Sequence, residues 1–437
     1  MYSLMESFFA DSNIDHHTMF YQRKLGRYTR TKKKLRRASF SIFSTITFFA
    51  CIILCVHKYQ TTSHDYYFLR CSLIDLQNPI PTKGTVTTLS RSIFLTSSNI
   101  PTQQVDEDDQ KAPEPPLNLA TKYQRINWFR KNLHEFKIFK SNNLTRQFHT
   151  RVVGFLSNEE CEARFFMTWI SPARLFGSRE LLSLETLFKF HPQVCLIIVS
   201  ITLNSKQGNK ILRPLIHRGF KVQAVTPDLP SLFRKTPAKA WLHDLRKGKK
   251  DPGKIPLSQN LSNLIRLVIL YKYGGIYLDT DFIVLKPFHR LRNSIAAQSM
   301  DQVSKNWTRL NNAVLVFDKN HPLVFRFIEE FERSFDGNKW GYNGPYMVSR
   351  VVERVREEGG LDFRVLPPTS FYPVDWKQVE QLFKKPRNEE EERWIEAKLD
   401  ELKSGETYGI HLWNKQSKNL TIEEGSLLKL LISYHFS

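Results

Sequence analysis

The chain has 437 residues, enough for one large domain of about 250–300 residues and several accessory segments. Its formal net charge is +21 at pH 7, which taken alone would suggest a nucleic acid or an anionic surface as a partner. Nine of the basic residues lie within residues 23–37, directly before an apolar run, and no zinc-ligand spacing, zipper heptad or RNA-binding aromatic motif accompanies them. We therefore expect no nucleic acid among the partners.

Residues 38–56 form an uncharged apolar run of 19 positions near the N-terminus. A helix of about 20 such residues crosses a bilayer. Basic residues precede the run and only His57 and Lys58 follow it closely, so the positive-inside rule places the N-terminus in the cytosol. We expect a cytosolic basic tail over 1–37 and a single uncleaved transmembrane signal-anchor, with all later residues in the lumen. A buried core helix is the alternative, but it would not need this charge bias.

From residue 57 to about residue 120 the chain is rich in Thr, Ser and Pro and has no sustained hydrophobic period. An acidic patch at 106–109 and the run PEPP at 113–116 are typical of a solvated tether rather than a metal site. We predict a lumenal stem over 57–150 and one large folded domain over 151–437. Within the stem, residues 121–150 could form a helix and turn that lead into the domain.

Apolar runs and amphipathic stretches alternate in the first part of this domain. The predicted strands are Arg164–Ile170, Val194–Ile201 and Phe220–Val225, and the predicted helices are Ser178–Phe190 and Gly208–Arg218. This order predicts an α/β fold with a parallel sheet and right-handed crossovers. Ligands bind at the carboxyl ends of such strands, which favours Thr168 and Trp169 near a ligand. For Trp169 a place in the core is the alternative.

The stretch Asn260–Phe288 carries the strongest local pattern. Apolar residues at helical spacing predict a helix over Asn260–Tyr273, and Gly274 and Gly275 supply the positive φ angles that end it. Ile276–Leu285 is rich in β-branched and aromatic residues, which is typical of a buried strand.

Two carboxylates, Asp279 and Asp281, interrupt this strand with only Thr280 between them. Residues two apart in a strand point to the same face, so the two anions would repel each other, and a buried unpaired charge is costly. A divalent cation removes both penalties, because hard cations take carboxylate oxygens and keep phosphate oxygens as further ligands. The D-x-D at a strand end therefore predicts a metal site, with a solvated turn as the alternative.

Further elements follow in the second half of the domain. The sequence predicts a strand at Val314–Phe317, a helix at Val324–Phe335, a Gly-rich loop at Trp340–Pro345, a helix at Met347–Glu357, a charged helical segment over 377–403 and a short strand that ends at His411–Asn414.

Cysteines and sequons bear on the compartment. Cys161 and Cys195 could pair in an oxidising lumen or remain packed thiols. N-x-S/T sequons occur at Asn143, Asn260, Asn306 and Asn419. Asn143 is the best candidate for a glycan, whereas Asn260 could instead cap the central helix.

The string RLVILYKYGGIYLDTDFIVLKPF at 266–288 resembles the signature of the DxD-containing glycosyltransferases of family 32, and most closely their α1,4-galactosyltransferase and α1,4-N-acetylglucosaminyltransferase branch. Four later segments add to the resemblance: LNNAVLVF at 310–317, WGYNGP at 340–345, LPPTSFYPVDW at 366–376 and HLWNK at 411–415. The resemblance covers residues 165–437, and several of the matching segments are similar to those of the plant members of the family.

The resemblance implies a GT-A fold, in which a nucleotide-binding half precedes an acceptor-binding half. It implies that Asp279 and Asp281 hold manganese against the diphosphate of a nucleotide-sugar donor, a UDP-sugar, and that His411 completes the metal shell. The residues expected to bind the donor are Thr168, Trp169, Arg266, Tyr277, Asn312 and Gly344, and Asn343 is expected to act in catalysis. For His411 the alternative is a core histidine beside Trp413, and for Asn312 it is a satisfied turn residue.

One position departs from the family. Arg266 occupies the place of the arginine in the family's S-D-x-x-R pattern, but Asn263 stands where many relatives have Asp, which leaves the donor preference open. Family members retain the anomeric configuration, so the resemblance implies an α-linked product from an α-linked donor. Because no second carboxylate stands at a fixed spacing from the D-x-D, we favour a front-face displacement in which the departing diphosphate takes the acceptor proton.

The resemblance also implies a glycan or glycolipid acceptor. From the basic run before residues 38–56 we expect a single-pass type II protein of the Golgi membrane, with partners among Golgi enzyme complexes. The alternative from another class is a catalytically silent lumenal glycan-binding or scaffold protein on the same fold. The intact D-x-D and HLWNK motifs argue against it, because a silent relative would tolerate their loss.

Overall fold

The computed structural model describes Pro113 and residues 121–157 and 161–436. The predicted basic tail, the predicted transmembrane run at 38–56 and almost all of the stem up to residue 120 lie outside the described residues. Within the described part of the chain, none of the helices has the length and apolar character needed to cross a membrane.

The described residues form helices on both sides of a mixed β-sheet. The helices are α1 Lys122–Lys131, α2 Asn143–Arg146, α3 Phe148–Leu156, α4 Ser178–Phe190, α5 Lys206–His217, α6 Leu229–Leu232, α7 Ala238–Arg246, α8 Leu257–Tyr273, α9 Pro322–Ser334, α10 Pro345–Glu358, α11 Glu389–Ser404, α12 Asn414–Ser417 and α13 Leu427–Phe436. The strands are β1 Arg164–Thr168, β2 Cys195–Val199, β3 Lys221–Val225, β4 Gly275–Leu278, β5 Phe282–Val284, β6 Ser294–Met300, β7 Trp307–Phe317, β8 Arg364–Leu366 and β9 Gly409–His411.

The strand order in the large sheet is β3-β2-β1-β4-β7-β6-β8. The first four strands in this order run parallel, as predicted from the alternation of strands and helices. β7 is antiparallel to both β4 and β6, so the second half of the sheet is mixed. β5 and β9 form a separate antiparallel ribbon. The fold is therefore α/β, as expected, with a parallel first half and a mixed second half.

The packed fold begins earlier than the predicted boundary at residue 151. Phe129 in α1 and Phe148 and Val152 in α3 are buried in the same core as β2. Thr121 caps α1 through a reciprocal capping box with Gln124. The predicted stem over 57–150 is thus wrong for its last part, because buried phenylalanines at this density belong to a core rather than to a solvated tether.

A pair of glycines lets the central helix lead directly into the sheet. α8 ends at Tyr273, and Gly274 and Gly275 have φ angles of 64° and 119°. A Cβ atom on Gly275 would lie 2.4 Å from the backbone oxygen of Arg164, so only glycine allows β4 to lie this close to the start of β1. The predicted helix stop is confirmed.

Cys161 and Cys195 form a disulfide, with their Cα atoms 5.4 Å apart, which ties the segment before β1 to the first residue of β2. Asn260 is 3% exposed and lies inside α8, whose first residue is Leu257. The predicted capping role of Asn260 is therefore wrong: the helix starts one turn earlier. The other three sequon asparagines are exposed: Asn143, Asn306 and Asn419.

Candidate active site

Asp279 and Asp281 lie in a turn between two strands. β4 ends at Leu278 and β5 begins at Phe282, so the prediction of one continuous strand over Ile276–Leu285 is wrong. The first strand pairs within the large sheet and the second pairs with β9. A turn frees the two carboxylates from the strict alternation of a strand, and both can face one small space.

The β5–β9 ribbon brings His411 to the two carboxylates. His411 pairs in register with Phe282, the residue after Asp281. Its Nε2 lies 3.3 Å from Asp281 Oδ1 and 3.9 Å from Asp279 Oδ2. One ligand atom from each of the three residues lies within 4.8 Å of the other two. The structure thus groups the three residues predicted as metal ligands.

Charge holds this group together. Burial alone would lower the pKa of His411, but the negative charges of Asp281 and Asp279 outweigh it and raise this pKa to about 9. Burial would raise the pKa of Asp281, but His411 and the Asn414 backbone N–H lower it below its usual value. Without a cation, His411 is therefore an imidazolium at neutral pH, and a metal ion must displace its proton.

The donor set fits a divalent cation. The Nε2 atom of His411 and the side-chain oxygen of Asn414 are buried and have no well-formed hydrogen bond to the residues that the structure describes. The Asn414 backbone N–H donates to Asp281 Oδ2 at 2.8 Å. Two carboxylates and an imidazole are ligands that manganese and related ions take.

A buried polar shell holds Asp279. The Tyr277 hydroxyl donates to Asp279 Oδ1 at 2.9 Å, and Arg266 Nη2 lies 2.9 Å from the same oxygen. Thr168 Oγ1 lies 2.8 Å from the Tyr277 hydroxyl and also contacts Ser262 Oγ. Burial would lower the pKa of Arg266, but Asp279 and Tyr277 raise it, so the guanidinium stays charged. The shell fixes the orientation of the Asp279 carboxylate.

This placement changes the expected role of three predicted donor-binding residues. Thr168, Arg266 and Tyr277 are buried beneath Asp279, and Arg266 also donates to the Asn312 carbonyl oxygen at 2.6 Å. Buried polar groups take protein partners when no water or ligand reaches them. The geometry favours a positioning role for these three residues, exerted through Asp279.

Trp169 lies at the edge of the core. Its indole N–H donates to the Pro172 carbonyl oxygen at 3.2 Å, and its ring packs edge-on against Phe176 with 5.0 Å between the ring centroids. The half-buried ring packs against the hydrophobic cluster that contains Phe176. Its binding of the donor stays a prediction.

Asn312 and Gly344 meet on the N-terminal half of α8. Asn312 Nδ2 donates to Asn263 Oδ1 at 2.9 Å, and both side chains are buried. A Cβ atom on Gly344 would lie 3.0 Å from Asn263 Oδ1 and 3.1 Å from Asn312 Oδ1. Gly344 is thus needed for close approach to a pair of protein amides, whereas the sequence predicts close approach to a ligand.

Asn343 anchors its loop. Its Nδ2 donates to Asn260 Oδ1 at 2.9 Å and to the Asp336 carbonyl oxygen at 2.8 Å, and its Oδ1 accepts the Asp336 N–H at 3.0 Å. The side chain is 3% exposed. The predicted catalytic role of Asn343 does not match this geometry, because both of its N–H groups are already bonded to protein.

Sequence reasoning misses three residues of the site: Ser262, Tyr372 and Asn414. Tyr372 packs edge-on against His411 with 5.8 Å between the ring centroids, and burial raises its pKa above the usual range. Tyr372 and Asn414 lie in the segments LPPTSFYPVDW and HLWNK, so the resemblance marks their neighbourhood but not their contacts. Ser262 occupies the serine position of the S-D-x-x-R pattern, but the pattern does not show its contact with Thr168.

Comparison with protein families gives two adjoining matches. Residues 177–301 match the glycosyltransferase sugar-binding region containing the DXD motif. Residues 316–435 match the α1,4-glycosyltransferase conserved region. The first match contains Asp279 and Asp281, and the second contains His411. The two matches thus meet at the candidate metal centre.

Three relatives illustrate the similarity. An uncharacterized Arabidopsis thaliana protein is 30% identical over 64% of this chain and 43% of its own length. The lactosylceramide 4-alpha-galactosyltransferase of Pongo pygmaeus is 32% identical over 47% of this chain and 88% of its own length. The human alpha-1,4-N-acetylglucosaminyltransferase is 26% identical over 44% of this chain and 52% of its own length.

The chain therefore spans about half the length of the first and third of these relatives. Among solved structures, the glycosyltransferase GlyE of Streptococcus pneumoniae superposes on 63% of this chain and 61% of its own with a TM-score of 0.36 and 10% identity. With the two family matches and the relative that it covers almost completely, the chain belongs to the DXD-containing α1,4-glycosyltransferase family.

Proposed function

We propose that this protein is a metal-dependent, retaining glycosyltransferase of the GT-A type. It moves a hexose or N-acetylhexosamine from a UDP-sugar to a glycan or glycolipid acceptor in α1,4 linkage. The observation that carries the proposal is the convergence of Asp279, Asp281 and His411 at one end of the β5–β9 ribbon. A silent binding protein would have no need to keep two acids and a histidine together in an arrangement that suits a divalent cation.

The three residues Asp279, Asp281 and His411 would hold manganese, which when bound stabilises the negative charge of the departing diphosphate. Arg266 and Tyr277 contact Asp279 Oδ1 and so orient its carboxylate. Tyr372 packs against the His411 ring and helps to exclude water from it. Water exclusion protects an activated sugar from hydrolysis.

The contacts of Asp279 and Asp281 decide whether either carboxylate can act as a nucleophile. Asp279 is bound by Arg266 and Tyr277, and Asp281 is bound by His411 and the Asn414 backbone, so neither is free to act as a nucleophile. We therefore favour front-face displacement. The acceptor oxygen forms its bond to the anomeric carbon on the face from which the diphosphate leaves, and the acceptor proton passes to the diphosphate.

The proposed location is the Golgi membrane, with a cytosolic N-terminus and the catalytic domain in the lumen. The uncharged run at 38–56 with its basic flank supports it. The Cys161–Cys195 disulfide agrees with an oxidising compartment. Protease treatment of intact microsomes is expected to spare the region from Thr121 onward. Digestion of that region without detergent would contradict the proposed membrane orientation.

The activity is tested with the full-length protein purified in detergent. UDP-galactose, UDP-N-acetylglucosamine and UDP-glucose are supplied with and without manganese, and release of UDP is measured. We expect release from at least one donor, its loss on addition of EDTA, and its loss in Asp281→Asn. A wild-type protein that releases UDP from no donor, or an Asp281→Asn variant that works normally, would overturn the proposal.

A further inference from the structure

An exposed tryptophan stands beside the candidate metal centre. Trp340 is 46% exposed, although indole is among the side chains that lose most by contact with water. The Lys415 ammonium lies 3.8 Å from the centre of its ring. The residue before Lys415 is Asn414, whose backbone N–H donates to Asp281. The group that contacts this ring and the group that contacts a proposed metal ligand therefore belong to consecutive residues.

The loop that carries Trp340 is fixed on both sides. After the ring, Asn343 is hydrogen-bonded to Asn260 in α8 at 2.9 Å. Before it, the Gly337 carbonyl oxygen accepts the Ile255 N–H at 2.8 Å. Two backbone segments are so close here that a Cβ atom on Gly337 would lie 2.1 Å from the Pro252 carbonyl oxygen. The indole thus projects from a rigid turn, which lowers the entropy cost of binding a ligand on it.

The position of Trp340 points to the acceptor rather than to the donor. In α/β sheets the nucleotide binds at the carboxyl ends of the parallel strands, here β1 to β4. Trp340 instead lies in the turn between α9 and α10. The shell around Asp279 comes from β1, α8 and β4 and does not include it. The ring is therefore outside the group of residues that holds Asp279.

The chemistry of the pair suits a sugar ring. A pyranose has one face of C–H groups, which packs on an aromatic ring, and a rim of hydroxyls, which accept hydrogen bonds from a lysine ammonium. A second exposed aromatic residue, Tyr346, lies in α10, which follows the loop of Trp340. It is 44% exposed, and the Arg309 guanidinium lies 3.6 Å from its ring centre. Two exposed aromatic rings, each beside a cation, therefore lie within six residues of each other in the sequence.

We propose that Trp340 is the stacking platform for the terminal pyranose ring of the acceptor glycan, and that Lys415 holds the indole in place for it. The inference rests on the proposed function and adds to it a place for the acceptor. Trp340 touches the acceptor sugar, whereas Lys415 is a positioning residue that acts through the ring.

The test separates binding from catalysis. Full-length protein in manganese is applied to an array of oligosaccharides ending in β-linked galactose or N-acetylglucosamine, and the affinity of the best glycan is then measured in solution. Trp340→Ala is expected to weaken this affinity about tenfold or more, and Trp340→Phe less, because a smaller aromatic face remains. Hydrolysis of the UDP-sugar without acceptor is expected to keep its kcat and KM in both variants.

Lys415 and a remote pair provide the controls. Lys415→Met keeps the apolar stem and removes the charge, so it is expected to raise the KM for the acceptor, and Lys415→Arg is expected to restore it. Tyr434 is 60% exposed and has the Lys403 ammonium 4.2 Å from its ring centre, which matches the Trp340–Lys415 contact elsewhere on the surface. Tyr434→Ala is expected to change neither glycan affinity nor donor hydrolysis.

Three results would overturn the inference: a wild-type protein that retains no glycan on the array, equal glycan affinity in wild type and Trp340→Ala, or a loss in Trp340→Ala that donor hydrolysis shares. Failure of the proposed function looks different. In that case the wild-type protein hydrolyses no donor, while glycan binding that depends on Trp340 persists.

Discussion

The Nε2 atom of His411 lies 3.3 Å from Asp281 Oδ1, and each residue is only 7% exposed. The two residues are 130 positions apart in the sequence and meet because β9 pairs with β5. In the absence of a cation they form a buried ion pair. The same two side chains that would bind metal therefore also stabilise the protein without it, and experiments on either residue must measure both effects.

Replacing His411 by alanine is expected to weaken manganese binding by about 10–100-fold, the usual effect of disturbing a metal shell. It is also expected to lower the melting temperature of the metal-free protein, because Asp281 would remain buried without its partner. Titration of free manganese by electron paramagnetic resonance and thermal denaturation in EDTA measure the two effects. The exposed His217 gives the control variant His217→Ala. Normal manganese affinity in His411→Ala would make His411 purely structural.

Tyr277→Phe tests the shell beneath Asp279. The change removes the hydroxyl that donates to Asp279 and contacts Thr168. We expect manganese affinity to fall by about tenfold and the free energy of unfolding to fall by about 1–3 kcal/mol, since the buried Thr168 and the partly buried Asp279 lose a partner. Tyr123→Phe, at a residue that is 73% exposed, is the matched control. Equal manganese affinity in Tyr277→Phe and Tyr123→Phe would contradict the positioning role.

Glycopeptide mapping of the protein from a eukaryotic host tests the sequons. We expect Asn260 to be unmodified, because it is 3% exposed and accepts a hydrogen bond from Asn343. Glycans are expected instead at the exposed Asn143, Asn306 and Asn419, given the proposed lumenal location. A glycan on Asn260 in active protein would contradict the packing of α8. If all three exposed sequon asparagines are unmodified, the result would contradict the proposed lumenal location of the domain.

The burial of His191 predicts that the free energy of unfolding falls in mild acid. It is 6% exposed, its Nε2 accepts the Phe288 N–H at 3.2 Å, and burial together with the charge of His289 lowers its pKa from 6.5 to about 4. Between these two values the unfolded chain binds the proton more readily, so stability is greatest above pH 6.5 and falls as the pH drops towards 4. The full loss is on the order of 3 kcal/mol.

Urea denaturation at several pH values measures this effect. The variant His191→Asn keeps a hydrogen-bond acceptor but does not titrate, so its stability should vary less between pH 7 and about pH 4.5. An identical pH dependence in the wild-type protein and in the variant would show that another group is responsible.

Local sequence patterns predict most elements of the fold but not the break in the D-x-D strand. The helix stop at Gly274 is encoded by neighbouring residues, and the burial of β2 by its own apolar run. Nothing local shows that Phe282–Val284 leaves the sheet, because its composition suits either partner. Its true partner, β9, lies far along the chain, and pairings of that range are set by the whole fold.

Local sequence also predicts only part of the candidate active site. The three residues that could hold a metal ion, Asp279, Asp281 and His411, are all predictable from their positions in motifs. Whether a polar side chain faces a ligand or another part of the protein is a different matter, because it depends on neighbours that only the fold supplies. Arg266 and Asn343 are predicted to face the ligand and instead bind protein groups.

The β5–β9 ribbon has a consequence for the order in which the protein matures. Domains fold during synthesis from the N-terminal side, yet β9 and its His411 belong to the last stretch of the chain. Asp281 therefore acquires its partner only after β9 has been synthesised. A chain that stops before residue 409 would keep the D-x-D but lack His411, the proposed third ligand. Under the proposed function, such a chain is expected to be inactive.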